Sequence, residues 1–146
     1  MLENINTLIL LNLICSFLML GVILTTQIVN YPSFLDLSIN DFINFHKNYV
    51  SRITIIVFPI MVLELILGFI LFWNIKNIST ILIATSILFI FISTLLIQVP
   101  LHQKVEKKYD RYLLIQLIKS NWIRTILWTI KCAVSCNLII KESLWI

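Results

Sequence analysis

Two ionisable residues, Glu64 and Lys131, lie far inside long apolar stretches of the sequence. A charged side chain within hydrocarbon is costly unless it has a partner, so such residues mark ion pairs or proton pathways. Glu64 follows Arg52 by about 12 residues, or about 18 Å of helix. Lys131 follows Trp122 by about 9 residues, or about 14 Å. If both helices start on the same side, Glu64 and Lys131 meet inside a bundle, either as a structural ion pair or as an acid–base pair that relays protons.

A second group of polar residues lies where apolar stretches begin or end. A helical bundle would gather this group at one membrane face, whereas the opposite face has few hydrogen-bonding side chains. The group comprises Gln27, Asn30, Tyr31, His46, Tyr49, Arg52, Gln98, His102, Asn121 and Arg124. One interpretation is a polar cap that satisfies loop backbone at the water boundary. The other is an entrance to a site for a substrate head group, a quinone or a metal, in which head-group binding falls to Gln27, Tyr31, Arg52, Gln98 and Asn121.

His46 and His102 are the two histidines of the chain and the candidate ligands of a haem or a metal ion. Glu64 cannot share an ion with His46 on a continuous helix, because 18 residues separate them by about 27 Å. The three cysteines, Cys15, Cys132 and Cys136, lie in apolar segments without a C-x-x-C pattern and are expected to be free thiols. The sequence contains no glycine-rich phosphate loop, nucleophile elbow or H-E-x-x-H motif.

The composition indicates a polytopic membrane protein. Of 146 residues, 60% are hydrophobic and 12% are charged, whereas soluble domains have about 25% charged residues. The net charge of +4 arises largely from one loop, so it concerns orientation rather than nucleic acid, which we do not expect as a partner. The lipid bilayer is the expected environment.

Hydropathy predicts a single domain of four transmembrane helices, about 5–29, 50–73, 78–99 and 122–140, in an all-α bundle. One face of the first helix carries Asn12, Ser16, Thr26 and Gln27, and it should look inward. One face of the last helix is also polar and carries Asn121, Arg124, Thr125, Trp128, Lys131, Cys132 and Ser135. Trp73, Trp122 and Trp128 are expected at interfaces or in packing.

The two longer loops are predicted to contain amphipathic helices at the membrane surface. The first begins near Ser38, where Ser38 and Asp41 resemble a capping box, and it lies along the interface or runs directly into the second span. The second covers residues 103–120, where apolar residues recur at the spacing of a helix and charged residues lie between them.

The distribution of Lys and Arg predicts the orientation in the cell (inner) membrane. The 1–2 and 3–4 loops carry eight of these residues near the spans, namely Lys47, Arg52, Lys104, Lys107, Lys108, Arg111, Lys119 and Arg124. The opposite side has Lys76 and Lys141. The positive-inside rule then puts both termini outside and both long loops in the cytoplasm.

Several short motifs resemble those of small uncharacterised bacterial four-span membrane proteins. They are Gln27-x-x-x-Tyr31-Pro32, His46-x-x-Tyr49-x-x-Arg52, Pro59-x-Met61-x-x-Glu64, Gln98-x-Pro100-x-His102 and Asn121-Trp122-Ile123-Arg124-Thr125-x-Leu127-Trp128. That group is distantly similar to the anthrone-oxygenase-like family through Pro100, His102, Arg124 and Thr125. The resemblance implies a four-helix membrane bundle and, for some members of the wider family, an oxygenase that acts on polycyclic aromatics without an obvious organic cofactor.

Two functions are compatible with these features. The first is a membrane oxidoreductase or oxygenase-like enzyme on a lipophilic substrate. In it the catalytic groups are Glu64, Lys131 and Arg124, Arg52 and Arg124 hold an anion, and His46 and His102 act as ligands or proton donors. The second is a non-catalytic accessory subunit or small carrier, as a homo-oligomer or in a larger membrane complex, whose buried charges only hold the bundle together.

Overall fold

A computed structural model describes residues 2–143, and within them the side chains of residues 5–39 and 41–141. In this range the chain is almost entirely helical. The first half consists of α1 (Leu2–Thr25), a π-helical turn (Thr26–Asn30), α2 (Tyr31–Ser33), a 3₁₀ turn (Phe34–Asp36) and α3 (Ile39–Ile75). The second half consists of α4 (Ile78–Ser93), a π-helical turn (Thr94–Gln98), α5 (Val99–Lys107) and α6 (Arg111–Ser143). The two halves thus repeat one order: a helix, a π turn, a short helix and a long helix.

Four segments of the described chain are long and apolar enough to cross a membrane, and they contain the four predicted spans. They are Ile5–Asp36, Asp41–Ile75, Ile78–Lys107 and Arg111–Lys141, and their most apolar stretches of 18 residues have mean hydropathies of 2.6, 2.8, 2.5 and 1.5. The α1 helix packs against α3 and α6, and α4 also packs against α3 and α6, so that the long helices form a closed ring of four. The prediction of an all-α bundle with four long apolar helices is confirmed.

The helix ends follow from local side-chain chemistry. The Ser38 hydroxyl caps α3 by accepting a hydrogen bond from the Asp41 amide. Lys76 ends α3 in the left-handed conformation, with φ of 50°, and Asn77 forms a capping box with Thr80 that starts α4. The Asp110 carboxylate accepts hydrogen bonds from the first backbone amides of α6. Because Lys76 and Asn77 alone connect them, α3 and α4 are antiparallel neighbours.

A proline stands just after each π turn. The Tyr31 amide bonds to the Thr26 carbonyl and the Val99 amide to the Thr94 carbonyl, one residue further back than in an α-helix. Pro32 and Pro100 have no amide hydrogen, and in an α-helix the ring would clash with the carbonyl four residues earlier. The wider π turn accommodates this interruption without ending the helix.

Separate amphipathic helices in the loops are not confirmed. Residues 39–49 are continuous with α3, which is the second of the two arrangements the sequence allowed. The charged stretch 103–120 is divided at residues 108–110 between the end of α5 and the start of α6. These extensions pack on one another through buried side chains, which are Tyr31, Phe34, Phe42, Val105, Leu114 and Leu117. We call this end of the molecule, beyond the π turns, the polar end.

Candidate functional site

Lys131 and Glu64 meet in the middle of the bundle, as the helix depths predicted. The Lys131 Nζ lies 2.7 Å from Glu64 Oε1, and both side chains are completely buried. The same ammonium donates to Ser16 Oγ at 2.7 Å and to Asn12 Oδ1 at 3.3 Å. Its three hydrogens therefore have three acceptors, one from α3 and two from α1.

Trp128 completes the surroundings of the carboxylate. Its indole Nε1 donates to Glu64 Oε2 at 2.9 Å, and the side chain is completely buried rather than at an interface. The Asn12 amide donates to Ser135 Oγ at 2.9 Å, which joins α1 to α6 a second time. Every member of this buried network, which comprises Asn12, Ser16, Glu64, Trp128, Lys131 and Ser135, has hydrogen-bond partners among the described residues. The network is saturated, as expected for a buried charge pair that stabilises a bundle.

A second cluster holds Arg124 at the polar end. The Asn121 amide donates to Gln27 Oε1 at 2.8 Å, and Gln27 in turn donates to the Ile118 carbonyl at 3.1 Å. Arg124 Nη1 donates to Asn121 Oδ1 at 3.3 Å. The guanidinium lies over the Trp128 ring, 5.2 Å from its centroid, in a cation–π contact. Gln27 and Asn121 therefore position Arg124, and Trp128 links this cluster to the network below it.

Arg124 differs from Lys131 in having no carboxylate partner. Its side chain is 8% exposed, and in the described part of the chain the Lys131–Glu64 contact is the only ion pair. The Arg124 Nε is buried and has no hydrogen-bond partner among the described residues. A buried cation without an anion is unfavourable, so this guanidinium has unused capacity to bind one.

Arg124 lines a cavity of about 340 Å³ at the polar end. Other polar walls come from Thr26, Tyr31, Tyr49, Gln98 and His102, and Glu106 contributes a carboxylate that forms no ion pair with Arg124. Apolar walls come from Met19, Ile23, Ile53 and Val57. The Gln98 amide donates to Ser120 Oγ at 2.9 Å, whereas its buried Oε1 has no partner among residues the structure describes. Arg124 and Gln98 thus line the cavity, each with one buried polar atom that has no partner among the described residues, beside an apolar wall. A few polar groups beside apolar walls are the usual character of a small-molecule site.

A hydrogen-bonded chain of three rings lies beside the cavity. Tyr31 Oη is 3.0 Å from His102 Nε2, and His102 Nδ1 is 2.9 Å from His46 Nε2. His46 stacks on Phe42, with ring centroids 5.2 Å apart, and its buried Nδ1 has no partner within the described residues. The two hydrogen bonds of this series can both be donated in the direction of His46 or both in the direction of Tyr31. Such a series can pass a proton between Tyr31 and His46.

His46 and His102 are in contact, and the contact is a direct hydrogen bond. A metal ion bound between the two facing nitrogens in a linear axial arrangement would need them about 4 Å apart, at about 2.0–2.1 Å per bond. Residues 2–143 contain no group of three or more His, Cys, Asp or Glu that could hold a metal ion. The haem or metal role of the two histidines therefore stays a prediction.

The other predicted site residues have different positions. Tyr31 and Gln98 line the cavity, whereas Gln27 and Asn121 lie behind Arg124. Arg52 is exposed on α3, in a separate groove that also contains Asn48 and Phe45. Arg52 and Arg124 therefore do not hold one anion together in this structure. The sequence put Asn12, Ser16 and Ser135 on the polar faces of their helices but did not identify them as partners of the ion pair.

The cysteines are free, as expected, and Cys15 and Cys132 are buried.

No protein-family model, curated protein or solved structure matches the chain. The resemblance to anthrone-oxygenase-like proteins consequently stays a prediction.

The saturated network makes a testable prediction about stability. Lys131→Met should lower the free energy of unfolding by about 3–5 kcal/mol, because it leaves Glu64 buried without a counter-charge. Glu64→Gln should be similarly harmful. The double variant should recover most of the loss, since both positions are then neutral and Trp128 can still donate to the amide oxygen of the substituted side chain. Thermal unfolding of the four proteins in one detergent measures the coupling.

Additive losses in the double variant would contradict a structural pair. Lys141→Met serves as the control, because it removes a lysine from the last turn of α6 without entering the network.

Proposed function

We propose that this chain is an integral protein of the cell membrane with four transmembrane helices and its polar end in the cytoplasm. Large apolar side chains cover the outer surface of the long helices, such as Ile55, Phe69 and Leu88, which are 73%, 62% and 52% exposed. Within the same helices, polar and charged residues such as Asn12, Glu64 and Lys131 are completely buried. This inverted distribution suits a lipid environment. Six Lys and Arg residues lie within or close to the segment that joins the third and fourth predicted spans, at the polar end, which supports its cytoplasmic orientation.

We further propose that the cavity binds a lipophilic small molecule with an anionic or phenolic head group. The observation that carries this proposal is the buried Arg124, which faces the cavity and has no carboxylate partner among the described residues. A bound anion would complete the hydrogen bonding of its guanidinium in a medium where such bonds are strong. Met19, Ile23 and Val57 provide an apolar wall for the rest of the ligand.

The cavity volume supports a small ligand. About 340 Å³ lies at the lower end of the range for small-molecule sites, roughly 300–1,000 Å³. The lining comes from α1, α3, α5, α6 and both π turns, so the site exists only when both halves of the chain are packed together.

Proton exchange with the bound head group is the chemistry that the neighbouring residues favour. Tyr31 and His102 line the cavity, and the hydrogen bond from His102 to His46 continues away from it. A phenolic head group could transfer its proton to this chain while Arg124 stabilises the resulting anion. The oxidoreductase or oxygenase-like activity suggested by the resemblance is the enzymatic form of this proposal.

The alternative function, an accessory subunit or small carrier, is favoured by a different observation. The Glu64–Lys131 pair is saturated and does not line the cavity, which suits a structural role better than a proton relay. In that case the cavity would bind its ligand without changing it.

Replacing Arg124 should abolish binding of a small aromatic anion. The background Trp73→Phe, Trp122→Phe and Trp145→Phe leaves Trp128 as the only source of tryptophan fluorescence. Because Trp128 lies directly under the Arg124 guanidinium, its fluorescence reports ligand binding next to this arginine. We expect para-bromobenzoate to quench Trp128 fluorescence saturably and its uncharged methyl ester to quench only weakly. Arg124→Gln should weaken binding by about 10- to 100-fold, the value of one hydrogen bond to a charged group.

Arg52→Gln is the matched control, since it removes an exposed arginine outside the cavity. It should leave quenching unchanged, and Arg124→Lys should retain part of it. Equal binding of acid and ester, or equal loss in the Arg52 and Arg124 variants, would contradict an anion site at Arg124.

The orientation can be tested by thiol labelling in intact cells. In a background where Cys15, Cys132 and Cys136 are Ala, a cysteine at position 76 should react with a membrane-impermeant maleimide added outside. A cysteine at position 108 should react only after the membrane is permeabilised. Each position lies between two helices, at opposite ends of the bundle. The reverse pattern would mean that the positive-inside rule fails for this chain.

A further inference from the structure

The polar end carries a groove between α5 and α6 that is distinct from the cavity. Its floor is apolar and consists of Leu96, Ile97, Pro100 and Leu101. Its rim is polar, with Lys104 from α5 facing Gln116, Lys119 and Ser120 from α6. The groove is open to the outside and has a volume of about 570 Å³. It is therefore a surface site, reached from the outer side of the bundle.

The two lysines bring positive charge to this rim without compensation. Both are exposed, and neither forms an ion pair within the part of the chain that the structure describes. None of the residues that line the groove is acidic. Its electrostatic preference is therefore for an anion.

The groove continues into the apolar outer surface of the third helix. Leu95 and Leu96 are 61% and 72% exposed, so a hydrocarbon chain would meet apolar side chains just below the rim. Lys104 follows Leu96 by eight residues, or about 12 Å along the helix, so a bound amphiphile would extend from the rim onto this apolar surface. A charged rim above an apolar track matches an amphiphile that lies parallel to the helices.

We infer that this groove is a binding site for an anionic phospholipid, with the phosphate between Lys104 and Lys119 and an acyl chain along Leu96 and Ile97. Gln116 and Ser120 add hydrogen-bonding groups for the glycerol part. The occupant is a lipid of the surrounding leaflet rather than free phosphate, because the apolar floor adds nothing to binding of a fully hydrated ion. The site is independent of the ligand proposed at Arg124.

Native mass spectrometry of the detergent-purified protein tests the site with phosphatidylglycerol and phosphatidylcholine of identical acyl chains. We expect phosphatidylglycerol to bind selectively with a first equivalent well resolved from later ones. Lys104→Gln with Lys119→Gln should weaken that first equivalent about 25-fold, since each lysine near an anionic head group contributes about fivefold. Lys107→Gln with Lys108→Gln removes the same charge outside the groove and should leave it within about twofold.

Two additional measurements keep the result interpretable. Melting temperatures of both double variants in phosphatidylcholine nanodiscs, which contain no anionic lipid, show whether either is misfolded. Competition with millimolar inorganic phosphate or glycerol phosphate should leave the lipid bound. Equal affinity for the two lipids, equal weakening by both pairs of substitutions, or displacement by phosphate alone would each overturn the proposal.

Discussion

The rest of the structure depends on the burial of one lysine. The Lys131 ammonium has no access to water, so its three hydrogens must all find acceptors inside the bundle. Glu64 supplies one from α3, and Asn12 and Ser16 supply two from α1. Three helices are thereby fixed in depth and rotation at once. Hydrophobic packing alone would leave the depth and the rotation of each helix less well determined, because it is not directional.

Trp128 extends this constraint to the polar end. Its indole hydrogen is committed to Glu64, which fixes the plane of the ring, and the ring face then supports the Arg124 guanidinium. Asn121 and Gln27 hold the same arginine from the side. The cation is thus placed by three neutral residues and by no anion of the described chain. Deep in the bundle Lys131 and Glu64 compensate each other, whereas Arg124 has no ion-pair partner among the described residues, although Glu106 also lines the cavity. That contrast separates a structural element from a candidate binding site within the same helix.

The sequence predicted distances along helices well and rotations about them poorly. The Glu64–Lys131 contact followed from depth alone, because the helical rise is fixed. Arg52 and Arg124 both begin apolar helices, yet Arg52 is exposed and Arg124 is buried. A difference of one or two residues in helical phase decides between these outcomes, and that phase is set by tertiary contacts such as the one to Trp128. The same limit applies to Trp128 itself, since side-chain composition cannot distinguish an interfacial tryptophan from a buried hydrogen-bond donor.

The prolines indicated where two predicted spans end, but they did not predict the π turns. Pro32 and Pro100 marked the ends of the first and third predicted spans, but each helix continues beyond its proline after a one-residue adjustment. One extra residue rotates everything that follows by about 100°, the angle between successive residues of an α-helix. Each half of the chain makes this adjustment, and Tyr31 and His102, which follow the two π turns, meet at 3.0 Å. The contact between the two rings is therefore also a contact between the two halves. A ligand in the cavity would lie against this junction, and its protonation state would be sensed by both halves together.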